Sequence, residues 1–300
     1  MTADHHHLAR AGRRHAGRLK IALVMVAIFM VVEIVAGFWT RSLALLSDAA
    51  HMATDALGLG MALAAVAVAD HSRGERGRTF GLYRLEILAA LANALLLFGV
   101  GGYVVYEAVR RLGSPTEVLT GPMLVVAIGG LIVNVVSMRM LAEGAAESIN
   151  VRGAYLEVVA DLVGSIGVIA AALITLATGW PYADPLFAVL IALFILPRAW
   201  RLGRQAMRVL VQAAPARLDL NDLREDLEEI AGVVDVHDLH VWTLTSEMDV
   251  ATVHLMIKEG TDPHPVLDRA RTILQSDHGI SHATLQVEPD THEGCSEVSW

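Results

Sequence analysis

Long apolar segments separated by short polar ones fill the chain from residue 21 to residue 200. A segment of about 17 residues or more is long enough to cross the hydrocarbon core of a membrane as an α-helix. Six segments approach or exceed this length, and they cover residues 21–39, 43–69, 87–106, 123–141, 155–178 and 185–200. This pattern predicts an α-helical membrane protein with six transmembrane helices.

The pattern changes at about residue 213. Apolar and polar residues alternate in "VDVHDLHVWTL", "MDVATVHLMI" and "HATLQVE", which is typical of strands, whereas residues 221–231 and 263–276 have helical spacing. The resulting order α-β-β-α-β predicts a small α+β domain. We therefore expect four parts, which are a disordered cytoplasmic N-terminus (1–18), a six-helix transmembrane domain (19–212), a cytoplasmic α+β domain (213–290) and a disordered tail (291–300).

Composition and charge support this division. Hydrophobic residues make up 54% of the chain and charged residues only 18%, a balance that favours a membrane protein over a soluble one. The segment 213–300 holds 18 Asp and Glu residues against 5 Lys and Arg, so it carries a charge of −13 in a chain whose net charge is −9. The single cysteine, Cys295, excludes an intrachain disulfide.

The positions of Lys and Arg predict the orientation of the helices. Cytoplasmic loops of membrane proteins carry an excess of these residues. Fifteen of them flank one side of the predicted membrane domain and only three flank the other, which are Arg41, Arg110 and Arg111. The basic side includes both ends of the domain. We therefore expect a multi-pass protein of the cytoplasmic (inner) membrane with its N- and C-termini in the cytoplasm.

Two pairs of ionisable residues lie inside predicted spans. His51 and Asp55 occur in the second span, and Glu157 and Asp161 occur in the fifth. Residues four apart lie about 6 Å apart along a helix and on nearly the same face, so each pair can point at one place. An ionisable residue in a membrane costs roughly 2.5–3.5 kcal/mol on insertion, which favours a functional role. The alternative for each residue is a hydrogen bond between helices or a position near a helix end.

The two pairs are predicted to lie at the same depth. Asp55 is about twelve residues into its span from outside and Asp161 about eleven residues into its span from the cytoplasm, which places both near the middle of a core about 30 Å thick. One imidazole and three carboxylates there form a tetrahedral ligand set for a divalent transition metal. Without metal, the carboxylates repel one another, so one or more should bind a proton. Asp48 lies on the same helical face toward the outside, either as part of an exit path or as a solvated residue.

Four motifs together resemble the cation diffusion facilitator family, and most closely its bacterial zinc, cadmium and cobalt efflux branch. They are "SLALLSDAAHMATDALGL" in span two, "TFGLYRLEILAALANA" leading into span three, "NVRGAYLEVVADLVGS" in span five and "VHDLHVWTL" in the soluble domain. The resemblance implies a homodimer with a ferredoxin-like, metallochaperone-like cytoplasmic domain. It also implies efflux of a divalent metal cation in exchange for protons, by alternation between inward-open and outward-open states.

One residue of the predicted site departs from this family. Zinc-transporting members usually carry histidine where this chain has Glu157, and a carboxylate is a harder ligand than imidazole. Zinc, with cadmium and cobalt, remains the expected cargo because His51 is retained, and manganese or iron export is the alternative. By resemblance, His237, His264 and Glu288 match positions where relatives bind a regulatory metal. The alternative for these three residues is a solvated polar face.

These features predict a secondary transporter and not an enzyme. We expect Zn²⁺ (or Cd²⁺, Co²⁺, Mn²⁺ or Fe²⁺) as the transported ion, H⁺ as the counter-ion and no prosthetic group. The expected partners are a second copy of the chain and the lipid bilayer, with no nucleic acid. A membrane-bound metal sensor that does not transport is a competing function, although ligand pairs at mid-membrane argue against it. An intramembrane metalloprotease would need a His-Glu-x-x-His helix, which the sequence lacks.

Overall fold

The computed structural model describes residues 2–71, 80, 82, 84–147, 149–245 and 248–291. Six long helices come first, and they are α1 (Thr2–Thr40), α2 (Leu43–His71), α3 (Arg84–Gly113), α4 (Thr120–Glu147), α5 (Ile149–Thr178) and α6 (Ala183–Leu210). The shorter elements that follow are α7 (Leu220–Glu228), β1 (Val233–Thr245), β2 (Met248–Ile257), α8 (Pro263–Thr272), a π-helical turn (Ile273–Asp277) and β3 (His282–Pro289). This second group has the predicted order α-β-β-α-β.

The long helices have the length and composition of membrane spans. Among the described residues, five stretches are long and apolar enough to cross a membrane, which are Gly17–Thr40, Arg84–Gly113, Thr120–Ala145, Val151–Thr178 and Ala183–Leu210. Large apolar side chains on these helices lie on the outside, and Phe38 and Val125 are each 71% exposed. An apolar surface of this kind is unfavourable in water and suits lipid. This part of the chain is therefore a helical membrane domain.

The first helix is longer than the sequence predicted. α1 begins at Thr2, so residues 2–18, which were expected to be disordered, continue the first apolar helix toward the N-terminus. No proline interrupts this segment, and the Ala, Leu and Arg residues in it are good helix formers. Residues 292–300 of the predicted disordered tail lie outside the described part of the chain.

The chain divides into two compact units, the first formed by residues 1–60 and 92–201 and the second by residues 61–91 and 202–300. In the first unit, α4 packs against α1 and α5. Gly130 of α4 lies against Phe29 of α1, where an added Cβ would approach a ring carbon to 2.7 Å. Small residues of this kind let transmembrane helices approach closely. The buried core of the first unit includes Leu43, Leu45, Met123, Val168 and Ile191.

In the second unit, three strands form one sheet in the order β1-β2-β3. β1 is antiparallel to β2, and β3 is parallel to it. Helices α7 and α8 pack on this sheet through one apolar core, which includes Leu223, Leu227, Val236, Leu255, Ala270 and Leu274. The carboxylate of Asp262 caps α8 by accepting the backbone N–H of His264 at 3.0 Å. The cap fixes His264 in the first turn of α8.

The register of the sheet brings polar residues of three strands together. His237 of β1 lies opposite His254 of β2, and His254 lies opposite Gln286 of β3. Glu288 is two residues further along β3, and residues two apart on a strand share a face. A bulge follows His237, where Asp238 has a positive φ of 49°. The three strands therefore present His237, His254 and Glu288 on one side of the sheet.

Candidate metal centre

Three of the four predicted transport ligands meet between α2 and α5. The Nε2 atom of His51 lies 3.7 Å from Asp55 Oδ2 on its own helix and 3.9 Å from Asp161 Oδ1 on α5. His51 and Asp161 are buried, with 5% and 6% of their surfaces exposed. In a tetrahedral zinc site with bonds of about 2.0–2.2 Å, neighbouring ligand atoms lie about 3.3–3.6 Å apart. The two distances from His51 are therefore close to the spacing that one small divalent ion requires. The three ligand atoms do not all lie within 4.8 Å of one another, a condition that His237, His254 and Glu288 alone meet among the described residues. Asp55 and Asp161 must therefore move together to share an ion.

The helical spacing of the sequence produces this arrangement. Residues four apart lie on one face of a helix, so α2 directs His51 and Asp55 toward the same place. The other ring nitrogen of His51, Nδ1, is buried and has no hydrogen-bond partner among the described residues. The imidazole can therefore present either nitrogen to an ion without breaking a hydrogen bond of this structure.

Glu157, the fourth predicted ligand, contacts a different partner. Its Oε1 atom accepts a hydrogen bond of 2.5 Å from Nη2 of Arg198 on α6, and its side chain is 48% exposed. The Nη1 atom of the same arginine lies 3.6 Å from Asp55 Oδ2. One guanidinium thus contacts a carboxylate from each of the two predicted ligand pairs. Glu157 lies beside the three-residue cluster and is joined to it through Arg198.

From the sequence, Arg198 is one of the fifteen Lys and Arg residues that predict the cytoplasmic side, with no role in the predicted site. The sequence nevertheless contains a signal for its role in the site. Arg198 lies in the middle of a long apolar helix, and the predicted site holds three carboxylates but no basic residue. A carboxylate cluster in a membrane requires counter-charge, and an arginine on a neighbouring helix is the residue that supplies it permanently.

Asp48 lies one turn from His51 in a buried environment. It is 1% exposed, and its Oδ2 atom has no hydrogen-bond partner in the described part of the chain. Both residues line a cavity of about 230 Å³ whose other walls are residues of α5 and α6. The main chain at Gly164 approaches so closely that an added Cβ would lie 2.0 Å from Asp48 Oδ1. Asp48 is therefore a buried residue of this cavity and not a solvated residue at a helix end.

The second unit contains a separate group of potential ligands. His237, His254 and Glu288 each offer a ligand atom, and these atoms all lie within 4.8 Å of one another. Nδ1 of His254 lies 3.1 Å from Glu288 Oε1, and Nε2 of His237 lies 3.8 Å from Glu288 Oε2. The centres of the two imidazole rings are 5.3 Å apart, and the rings are arranged edge to face. Two imidazoles and a carboxylate are a ligand set that zinc commonly uses.

This group differs from the predicted set in one residue. His237 and Glu288 were predicted together with His264, but the structure places His254 beside them and His264 on the exposed first turn of α8. The antiparallel register of β1 and β2 is the physical reason, because it pairs His237 with His254 across the hairpin. The only sequence signal for His254 is its position in the strand predicted to follow that of His237, because alternation alone does not fix which residues of two strands face each other.

Known families match both parts of the chain. The family described as the cation efflux transmembrane domain matches residues 19–211, and the family described as the cytoplasmic domain of cation efflux proteins matches residues 215–290. A solved structure, the metal-bound C-terminal domain of the CzcD transporter from Cupriavidus metallidurans, is 33% identical. It covers 24% of this chain and 99% of that domain, with a TM-score of 0.23.

Relatives match nearly the whole chain. The metal cation efflux system protein CzcD of Cupriavidus metallidurans is 47% identical over 289 residues, which are 96% of this chain and 90% of the relative. The zinc transporter ZitB of Escherichia coli is 41% identical over 292 residues (94% and 93%). The cadmium, cobalt and zinc/H(+)-K(+) antiporter of Bacillus subtilis is 35% identical over 282 residues (91% and 89%). The resemblance predicted from the motifs is confirmed, and the chain belongs to the cation diffusion facilitator family of cation efflux proteins.

Proposed function

We propose that this protein exports divalent metal cations, zinc first and also cadmium and cobalt, and that His51, Asp55 and Asp161 bind the ion in transit. The observation that carries the proposal is the approach of His51 Nε2 to within 3.9 Å of a carboxylate on each of two helices, Asp55 on α2 and Asp161 on α5, inside the membrane domain. Relatives named for metal cation efflux and for zinc, cadmium and cobalt support the choice of ions.

Glu157 completes the site in this proposal. Its oxygen is bound to Arg198, so it must turn away from the guanidinium to reach an ion held by the other three residues. The complete set is one imidazole and three carboxylates. Imidazole suits zinc, cobalt and related ions, whereas carboxylates also suit manganese. Three carboxylates therefore make the site more tolerant of hard ions than a site with two histidines.

Proton exchange follows from the chemistry of the ligands. A carboxylate or imidazole must be unprotonated to bind a metal ion, so metal binding releases protons that an empty site holds. Alternate access from the two sides then exchanges the metal for protons. The name of the Bacillus subtilis relative, an antiporter with H⁺ and K⁺, supports ion exchange of this kind.

We further propose the arrangement of the whole protein. Six transmembrane helices, with α2 as the second, cross the cytoplasmic membrane with both termini inside, and a ferredoxin-like cytoplasmic domain joins two copies as a homodimer. His237, His254 and Glu288 bind a regulatory metal in that domain, and His264 remains a candidate ligand. The strongly acidic segment 213–300 supports this role, because two copies of it repel one another until cations neutralise their negative charge.

The test is metal flux in everted membrane vesicles. Wild-type protein should drive uptake of radioactive zinc when a proton gradient is imposed, and Asp161→Asn should abolish this uptake at equal protein level. The matched control is Glu143→Gln, which removes an exposed carboxylate on α4 that pairs with Arg18. Uptake by Asp161→Asn at the wild-type rate would refute the assignment, and the absence of flux in the wild type would favour a sensor.

A further inference from the structure

Arg198 lies at the junction of the two ligand pairs. Its guanidinium donates a 2.5 Å hydrogen bond to Glu157 Oε1 on α5 and approaches Asp55 Oδ2 on α2 to 3.6 Å. The Asp55 oxygen concerned is the same atom that lies 3.7 Å from Nε2 of His51. The arginine and an ion held by His51 and Asp55 would therefore use the same oxygen atom.

The charges of these groups make the two cations competitors. Guanidinium is charged at every physiological pH, so Arg198 is a permanent cation beside the carboxylates of Asp55, Glu157 and Asp161. A metal ion binds a carboxylate oxygen at about 2.0–2.2 Å, which would bring a double positive charge close to the guanidinium. Like charges in a partly desolvated site repel strongly. The arginine and the metal therefore cannot both occupy these oxygens.

We propose that Arg198 is a built-in counter-cation that holds Asp55 and Glu157 in the empty site and that the transported ion must displace from them. The inference rests on the proposed function, since it assumes that these carboxylates bind the cargo. In this proposal, α6 takes a direct part in setting the affinity of the membrane site for the transported ion. The displacement lowers the affinity for metal and favours release, which a transporter needs as much as it needs binding.

The variants that test this idea change one charge at a time. Arg198→Gln removes the competing cation, and Arg198→Lys keeps the charge but loses the planar fork of donors. Arg201→Gln is the matched control, because it removes an exposed arginine from the same helix one turn away. Zinc binding is titrated in the purified full-length protein, and the titration of Asp161→Asn is subtracted to isolate the membrane site from the cytoplasmic group.

We expect Arg198→Gln to lower the zinc dissociation constant by about tenfold or more, to slow zinc release in stopped-flow experiments, and to reduce flux at saturating zinc. Arg198→Lys should give an intermediate dissociation constant, and Arg201→Gln should match the wild type. In a Glu157→Gln background, the effect of Arg198→Gln should shrink, because the closer of its two carboxylate partners has been removed. A merely structural arginine would weaken binding when removed and would not tighten it.

Each outcome decides the matter. Suppose that zinc affinity is unchanged or weaker in Arg198→Gln and Arg198→Lys, while Asp161→Asn still loses zinc binding at the membrane site. This result would overturn the role of Arg198 and leave the proposed function intact. If Asp161→Asn binds as much zinc as the wild type, the proposed transport site itself is wrong. If Arg198→Gln fails to fold, the zinc affinity of Arg198→Lys is the test. A wild-type affinity in that variant would contradict the proposal that the guanidinium competes with the metal through its planar set of donors.

Discussion

Replacing Asp184 should destabilise the membrane domain more than any exposed charge does. Asp184, in the first turn of α6, is 1% exposed and binds the start of α2. Its Oδ1 accepts the hydroxyl of Ser42 at 2.6 Å, and its Oδ2 accepts the backbone N–H of Leu43 at 2.7 Å. The N–H of Ala44 reaches Oδ1 at 3.2 Å. One carboxylate thus satisfies two of the free N–H groups at the beginning of a buried helix, where negative charge is also favoured.

The size of the effect follows from these contacts. In Asp184→Ala, two buried N–H groups lose their acceptor, at about 1–3 kcal/mol each. Arg111 also loses a partner at 3.3 Å, but it keeps the carbonyl of Arg41 and the carboxylate of Glu107. We therefore expect a loss of about 3–5 kcal/mol in the free energy of unfolding. Asp184→Asn keeps one acceptor oxygen and should lose roughly 1–3 kcal/mol.

The assay is unfolding in detergent, followed by circular dichroism, with zinc flux measured in parallel. Glu117→Gln, an exposed carboxylate in the connection before α4, is the control and should change stability by less than about 0.5 kcal/mol. Zinc flux should fall with stability, because α2 carries His51 about two turns after its start. If Asp184→Ala unfolds like the control, the carboxylate does not hold α2, and this reasoning is refuted.

Three further substitutions test other parts of the account. Glu157→His should keep zinc flux but reduce any manganese or iron flux, since imidazole is the softer ligand; identical ion selectivity would place Glu157 outside the site. His254→Ala should weaken zinc binding by the cytoplasmic group about tenfold or more, and His264→Ala should do so less, as titration of the full-length protein would reveal; a reversed order would contradict the observed group. Gly164→Ala should cost about 1–3 kcal/mol of stability, because its Cβ would overlap Asp48; a thermal melt equal to that of the wild type would contradict this close approach.

The sequence allowed correct prediction of features that depend on local spacing. Apolar length indicated the long helices, and the i, i+4 spacing of His51 and Asp55 placed both side chains on one face of α2. Alternating residues indicated β1, β2 and β3 in the right order. These patterns act over one helix or one strand, so no knowledge of packing was needed.

Features that depend on packing between elements were missed. Arg198 contacts Glu157 and Asp55 only because α6 lies beside α2 and α5. The number of residues between them along the chain does not indicate this contact. His254 joins His237 through the register of a hairpin, which alternation alone leaves undetermined. The buried hydrogen bonds of Asp184 likewise join residues about 140 positions apart, so only the packed helices reveal them.

The central claim is that the transported ion binds between α2 and α5, and locating zinc in the full-length protein tests it most directly. Crystals of zinc-saturated protein would be measured at the zinc absorption edge. We expect an anomalous peak within about 2.0–2.2 Å of the ligand atoms of His51, Asp55 and Asp161, and no peak there in Asp161→Asn. Zinc-saturated wild-type protein with peaks only at His237, His254 and Glu288, and none between α2 and α5, would contradict the claim.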